Sequence, residues 1–213
     1  MKTNELISLL SNRVTRVDRA AVARRFAEAL LLGALGSMIL MSIVFGVRHD
    51  IGSVIRTGVF WAKLAYPLAV AADAMLAVMR PAGPARAPAI RGRSSHCRSS
   101  RYGWRVCWCS TMQRPPDAGR SCWVNRGCTC PFNILLLSVP TFPAVIWAVR
   151  SLAPTRLRLA GAVAGLLASS TATIVYCLHC PEMSPAFWSV WYAIGMAMLA
   201  GIGAWLGPRL LRW

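Results

Sequence analysis

Five apolar runs of membrane length constrain this chain before any single residue does. Residues 29 to 47, 58 to 79, 131 to 149, 159 to 178 and 185 to 206 are each about 19 to 22 residues long. At 1.5 Å per helical residue, such a run crosses a hydrocarbon core ~30 Å thick. With 56% hydrophobic and 15% charged residues, the chain falls well below the roughly one-quarter charged content of soluble domains. Inside lipid the backbone must satisfy its own hydrogen bonds, so spans of this kind are helices. The expected fold class is therefore an all-α integral membrane protein, a helical bundle of five recognisable spans. The first run follows a 28-residue polar arm with no small-residue cleavage pattern and reads as a retained span.

A net charge of +17 invites a nucleic-acid reading, but its distribution argues otherwise. Ten of the 22 arginines lie between Arg80 and Arg126, beside a single acid, Asp117. This block, residues 81 to 129, carries Pro84, Pro88, Pro115 and Pro116 and has neither helical nor strand periodicity, so it is expected to be a basic, low-order segment. Arginines interleaved with Tyr102, Trp104 and Trp108 have the makings of a phosphate-contacting, base-stacking surface. The membrane topology gives that surface no access to nucleic acid, and no direct nucleic-acid partner is expected.

Loop cations orient a membrane protein with its positive side inward. Lys2, Arg13, Arg16, Arg19, Arg24 and Arg25 place the amino-terminal arm, residues 1 to 28, in the cytoplasm, and the two spans of residues 29 to 80 return the chain there at Arg80. Counting back from the other end, Arg209 and Arg212 lie inside, the 179-to-184 loop outside, and Arg150, Arg156 and Arg158 inside. The three spans of residues 130 to 213 must then begin outside, at Cys130. Arg80 inside and Cys130 outside require an odd number of crossings, yet no apolar run joins them. Six spans are expected, with the third replaced by the Arg/Ser/Cys-rich block. Translation of roughly residues 84 to 126 out of frame is the economical explanation, and a true five-span protein whose basic block reaches the outer face is the alternative.

Polar chemistry is sparse and localised. In the arm, Leu6, Leu10, Val14 and Val17, with Ile7 beside them, form one face of a short helix, while Arg13, Arg16 and Arg19 form another. Such a helix lies on anionic lipid or offers its apolar stripe to a cytoplasmic partner. The second span contains Lys63, near enough to one end to snorkel, and Asp73, deeper and expected to make a structural hydrogen bond in the bundle. Between the last two runs, Ile174 to Glu182 gathers Cys177, His179, Cys180 and Glu182. The Cys177-Leu178-His179-Cys180 spacing closes a membrane helix, whereas redox C-x-x-C motifs open one, so Cys177 reads as a packing residue. His179 and Glu182 either complete a metal site or cap the turn, the cap being favoured. Cys97, Cys107, Cys109, Cys122 and Cys128 all fall in the anomalous block and are discounted. With no Ser/His/Asp set, phosphate loop or carboxylate pair, an enzyme is not expected.

Several stretches resemble the NrsF-type multi-pass membrane anti-sigma factors, which restrain extracytoplasmic-function sigma factors in bacteria. They are Met1-Lys2-Thr3 with Leu6-Ile7, Phe60-Trp61-Ala62-Lys63-Leu64, Cys130-Pro131-Phe132-Asn133-Ile134 and Leu152-Ala153-Pro154-Thr155-Arg156, then Leu178-His179-Cys180-Pro181-Glu182, Trp191-Tyr192, Gly195-Met196 and Leu206-Gly207-Pro208-Arg209. The resemblance covers about residues 1 to 80 and 130 to 213 and fails between them. It implies a six-span bundle in the bacterial cytoplasmic (inner) membrane with both termini cytoplasmic. It further implies that the arm, through Leu6, Ile7, Leu10 and Val14, holds an extracytoplasmic-function sigma factor, and that Cys130 and Cys180 form a periplasmic pair responsive to oxidant or heavy metal. No cofactor is implied beyond a heavy-metal ion at that pair, for which His179 is a candidate third ligand. A membrane thiol oxidoreductase using the same cysteines and a small transporter using Lys63 and Asp73 are the rival readings.

Overall fold

The computed structural model describes residues 19–46, 50–79 and 120–212, with side chains from residue 129 onward in the last stretch. The elements among them are α1 (Arg19–Val44), the short α2 (Ile51–Val54), α3 (Gly58–Met79), α4 (Arg120–Arg150), α5 (Leu157–Tyr176) and α6 (Pro185–Leu210). Five of these helices, all except α2, are long and apolar enough to cross a membrane. The all-α bundle of five spans that the apolar runs predict is the observed architecture.

Two helices begin earlier than their apolar runs. α1 starts at Arg19, so residues 19–28 of the expected arm are continuous with the first span. Alanines and arginines, which are strong helix formers, fill that stretch, and Phe26 is fully buried. α4 starts at Arg120, so residues 120–129, expected to be part of the low-order segment, are helical. No proline interrupts the chain between Pro116 and Pro131, and an existing helix extends at the gain of one hydrogen bond per residue fixed. Residues 1–18, with Leu6, Ile7, Leu10 and Val14, and residues 80–119, where the missing span would fall, lie outside the described residues.

α5 is the axis of the bundle and touches α1, α3, α4 and α6. Its composition allows this: Gly161, Ala164, Gly165, Ala168, Ser169, Ala172 and Thr173 recur at alternating steps of three and one and are buried along one side. Against α6 the approach is backbone to backbone. A methyl group added at Gly161 would fall on the Gly203 carbonyl oxygen, one at Gly165 on that of Leu199, and one at Gly207 on that of Leu157. Small residues at such crossings replace the hydrophobic driving force that lipid cannot supply.

A second close crossing joins α1 to α4. A methyl at Gly33 would lie 2.8 Å from Thr141 Cγ2, and one at Gly36 2.8 Å from Pro140 Cβ. Next to Gly36 the Ser37 hydroxyl donates to Leu137 O at 2.7 Å and lies 2.8 Å from Thr141 Oγ1, while Thr141 donates to Gly33 O at 3.1 Å. Pro140 and Pro143 deprive α4 of backbone donors here, and this hydroxyl pair supplies polar contact where water is absent. The opposite face of α1, with Leu31, Leu35, Ile39 and Ile43, is exposed, as a lipid-facing surface requires.

Two buried clusters mark the two ends of the bundle. One contains Met41, Cys130, Ile134, Tyr176, Cys177, Cys180, Trp188 and Tyr192. The other contains Phe26, Ala74, Val145, Val149, Ala164, Leu167 and Leu211. Arg24, Arg25, Arg150, Arg156, Arg158, Arg209 and Arg212 sit in sequence beside the second cluster, which is therefore the basic end. Val78, next to the last residue of α3, packs against the second cluster, and Cys130 lies in the first.

Candidate functional site

The thiol end is assembled from the ends of α1 and α5 and the starts of α3, α4 and α6. α1 closes on Gly46, whose φ of +73° is in the left-handed region open to glycine, so that the Phe45 and Gly46 N–H groups both reach Met41 O, at 2.9 and 3.0 Å. α5 closes more tightly. Leu178 N donates to Val175 O, and His179 N and Cys180 N both donate to Tyr176 O, at 3.0 and 3.1 Å. Pro181 cannot continue that pattern, and α6 restarts with Pro185 in its first turn. The six-residue tightening turns the Cys180 side chain inward and buries it.

Cys130 and Cys180, fifty residues apart, meet in this interior. The two thiols lie in one buried cluster, and the Tyr176 hydroxyl donates to Cys130 Sγ at 3.5 Å while accepting from Asn133 Nδ2 at 3.3 Å. Cys130, Cys177 and Cys180 are all buried thiols. Cys130 and Cys180 thus belong to one buried cluster at one end of the bundle. Cys177 faces the same interior, where burial pushes its thiol up to about 12. Cys180 goes the other way: the neighbouring Cys130 thiol and the Lys63 charge hold it below the ordinary thiol range against the opposing effect of burial. The Tyr192 hydroxyl is buried beside these sulfurs without a well-aligned hydrogen bond among the described residues.

Lys63 is the residue that sequence reasoning misplaced. It was expected to snorkel, yet its side chain has 0% exposure. Its ammonium donates to Cys180 O at 2.8 Å and Glu182 O at 3.0 Å, and stands 5.8 Å from the centre of the Tyr192 ring. The 180-to-182 turn folds over the start of α3 and blocks the route to water that a lysine near a span end normally takes. The available signal was depth: Lys63 lies five residues inside α3, more than a helical turn beyond an interfacial position.

The His179 ring reaches across to the end of α1 rather than capping its own turn. Its Nδ1 lies 3.0 Å from Gly46 O, and its ring packs against Phe45 and Tyr176 with centroids 5.2 and 5.9 Å apart. The candidate metal set of Cys130, Cys180 and His179 is therefore not assembled as a triad, and among the described residues no group of three His, Cys, Asp or Glu side chains gathers to hold a metal. Two thiols do meet, which is the minimum that a soft, thiophilic ion needs. Asp73 corrects a second expectation: it stands on the exposed face of α3, away from the interior that holds Lys63. The two ionisable residues of that span therefore do not form one site.

The chain was compared with known families, curated proteins and solved structures. The NrsF family model, described as a negative regulator of sigma F, matches residues 10–213. The probable anti-sigma-F factor NrsF of Azospira oryzae is 37% identical over 220 aligned positions, with both chains covered in full. The anti-sigma-F factor NrsF of Caulobacter vibrioides is 31% identical over 226, again across the whole of both chains. No solved structure matches.

Proposed function

The chain belongs to the NrsF family of negative regulators of sigma F, and from that premise we propose that it is a membrane-bound anti-sigma factor. Its cytoplasmic arm holds an extracytoplasmic-function sigma factor and releases it when oxidant or heavy-metal stress reaches Cys130 and Cys180 at the outer face of the inner membrane. The observation that carries this reading is the meeting of those two thiols in a buried cluster at the end of the bundle opposite the arginines. The positive-inside rule puts the arginines, the arm and both termini in the cytoplasm, which leaves the thiols facing the compartment where disulfides persist.

The chemistry available to the pair is of two kinds. A two-electron oxidant such as hydrogen peroxide would join the sulfurs, the thiols losing two protons and two electrons to the peroxide, whose O–O bond breaks and whose two oxygens leave as two waters. A soft metal ion would instead take both sulfurs as thiolates, releasing two protons. Either event changes the distance and charge between α4 and the α5–α6 turn, and so the packing of these helices against α1, the span that follows the cytoplasmic arm.

The test is a co-purification from membranes. The full-length protein should bring down one sigma factor, and less of it after oxidant or a thiophilic metal is applied; Cys130→Ser and Cys180→Ser should still bind but no longer release. Leu6→Asp with Leu10→Asp should insert normally and lose the sigma factor. A cysteine variant that releases like the wild type removes the sensor. Catalytic turnover of a quinone or dithiol by the purified protein would instead favour the oxidoreductase.

A further inference from the structure

Tyr176 is attached to both thiol residues, to one through its backbone and to the other through its side chain. It is the last residue of α5, and its carbonyl oxygen accepts from His179 N at 3.0 Å and from Cys180 N at 3.1 Å. Those two bonds set the direction in which the chain leaves the helix, and with it the place of Cys180. At the other side of the same residue, the phenol hydroxyl donates to Cys130 Sγ at 3.5 Å.

The ring between these attachments has little freedom. It is buried, and its centroid lies 6.5 Å from that of Phe45, 5.9 Å from His179 and 6.0 Å from Tyr192, the contacts with Phe45 and Tyr192 being edge to face. Its hydroxyl is oriented as well. Asn133 Nδ2 donates to it at 3.3 Å, which occupies the oxygen as an acceptor and leaves its own proton for the sulfur. Asn133 and Cys130 are three residues apart in α4 and so share one face of that helix. α4 thus presents an amide and a thiol to one hydroxyl.

We infer that Tyr176 is a positioning residue of the thiol pair: its carbonyl fixes the backbone of Cys180 while its hydroxyl, oriented by Asn133, holds the sulfur of Cys130. The inference rests on the reading of Cys130 and Cys180 as the responsive pair and deepens it by naming what keeps the pair in register. Two sulfurs are joined, or share one ion, only when both point to the same place, and an untethered cysteine side chain divides its time among its staggered rotamers. The hydroxyl bond selects one of them at Cys130. Tyr176 takes no part in the chemistry itself: joining the sulfurs passes two protons and two electrons from the thiols to the peroxide, and none from the phenol.

The experiment measures, at one fixed pH, the rate at which hydrogen peroxide converts Cys130 and Cys180 into a disulfide in the full-length protein in lipid nanodiscs, read by mass spectrometry of the linked peptides. Tyr176→Phe deletes the hydroxyl but keeps the carbonyl, the ring and its aromatic neighbours, and should slow the joining about five-fold. Asn133→Leu should slow it less, and should add nothing in the Tyr176→Phe background, because Asn133 acts through the hydroxyl. Alkylation of Cys130 by iodoacetamide, which needs one sulfur rather than two in register, should fall by much less than the joining in Tyr176→Phe. A wild-type rate of joining in Tyr176→Phe overturns the inference, and so does a wild-type protein that forms no such disulfide. Additive losses in the double variant, or alkylation that slows in parallel with joining, reduce the hydroxyl to a structural group and overturn it too. If Tyr176→Phe slows the joining while Cys130→Ser still releases the sigma factor, the sensor reading fails and the positioning role stands. If the rate is unmoved while Cys130→Ser no longer releases, the reverse holds.

Discussion

The two ends of the bundle hold themselves together by opposite means. At the basic end α5 and α6 meet through Gly161, Gly203 and Gly207, with carbonyl oxygens set against α-carbons and aliphatic side chains filling the remainder. At the thiol end three cysteines, two tyrosines, a tryptophan and a lysine occupy the interior, joined by hydrogen bonds and ring contacts. The first kind of contact depends on shape and is indifferent to pH, redox state and metal. The second kind depends on protonation and on sulfur chemistry. Contacts made by shape and contacts made by polar and sulfur groups are thus separated along the length of the bundle.

That contrast breaks most readily at the basic end. Gly161→Leu should destabilise the bundle by about 3 kcal/mol or more, since the side chain meets backbone that cannot yield; thermal unfolding in detergent reads it, and a wild-type midpoint would show that the glycine crossing is dispensable. Next in size, Lys63→Met should loosen the thiol end by about 1 to 3 kcal/mol, because two buried carbonyls lose their donor. Hydrogen exchange should then rise around residues 176–182 and stay unchanged near Gly161, and equal effects at both ends would erase the separation.

Smaller effects sharpen the comparison. Cys177→Ala removes a buried sulfur and should lower stability by about 1 kcal/mol without altering Cys180 alkylation. The pH dependence has a definite sign at each thiol. Cys180, held below the ordinary range, contributes stability that is present above the ordinary thiol value and lost as pH falls through the lowered one. Cys177, pushed up to about 12, contributes stability that is present below the ordinary value and lost as pH rises toward 12. Unfolding followed at pH 5, 7 and 9 should show the Cys180 contribution growing across the series, and Cys180→Ser should flatten that growth. The smallest effect belongs to the basic end: Glu28→Gln, which removes the exposed partner of Arg24 at 3.8 Å, should change stability by less than about 0.5 kcal/mol.

Much of this architecture was readable before any coordinates. The spans were legible because a bilayer imposes a length on every helix that crosses it, whereas the pairing of Cys130 with Cys180 came from the resemblance, the loop charges adding only that both belong to one side. What escaped was anything decided by one element folding over another. Lys63 looked free to snorkel because its helix end looked open, and only the path of residues 180–182 closes it. A cap on its own turn was expected for His179, but its ring reaches Gly46 O, 133 positions away. Asp73 was assigned inward from its depth, whereas the rotation of α3 about its axis, which depth does not encode, turns it outward. The helical start of α4 at Arg120 was hidden by the arginine content around it, since charge masks an apolar period without preventing a helix.

The glycine crossing has one more consequence, which is mechanical. α5, its turn and α6 form a hairpin clamped near its open end by contacts that contain no rotatable bonds. Such a hairpin has few internal degrees of freedom, so its two legs move as one body. The Cys180 turn is the bend of that hairpin, and strain arising there has nowhere to go within it. It must be taken up by the helices leaning on the outside: α4 through Cys130, α3 through Lys63, and α1 through Gly46.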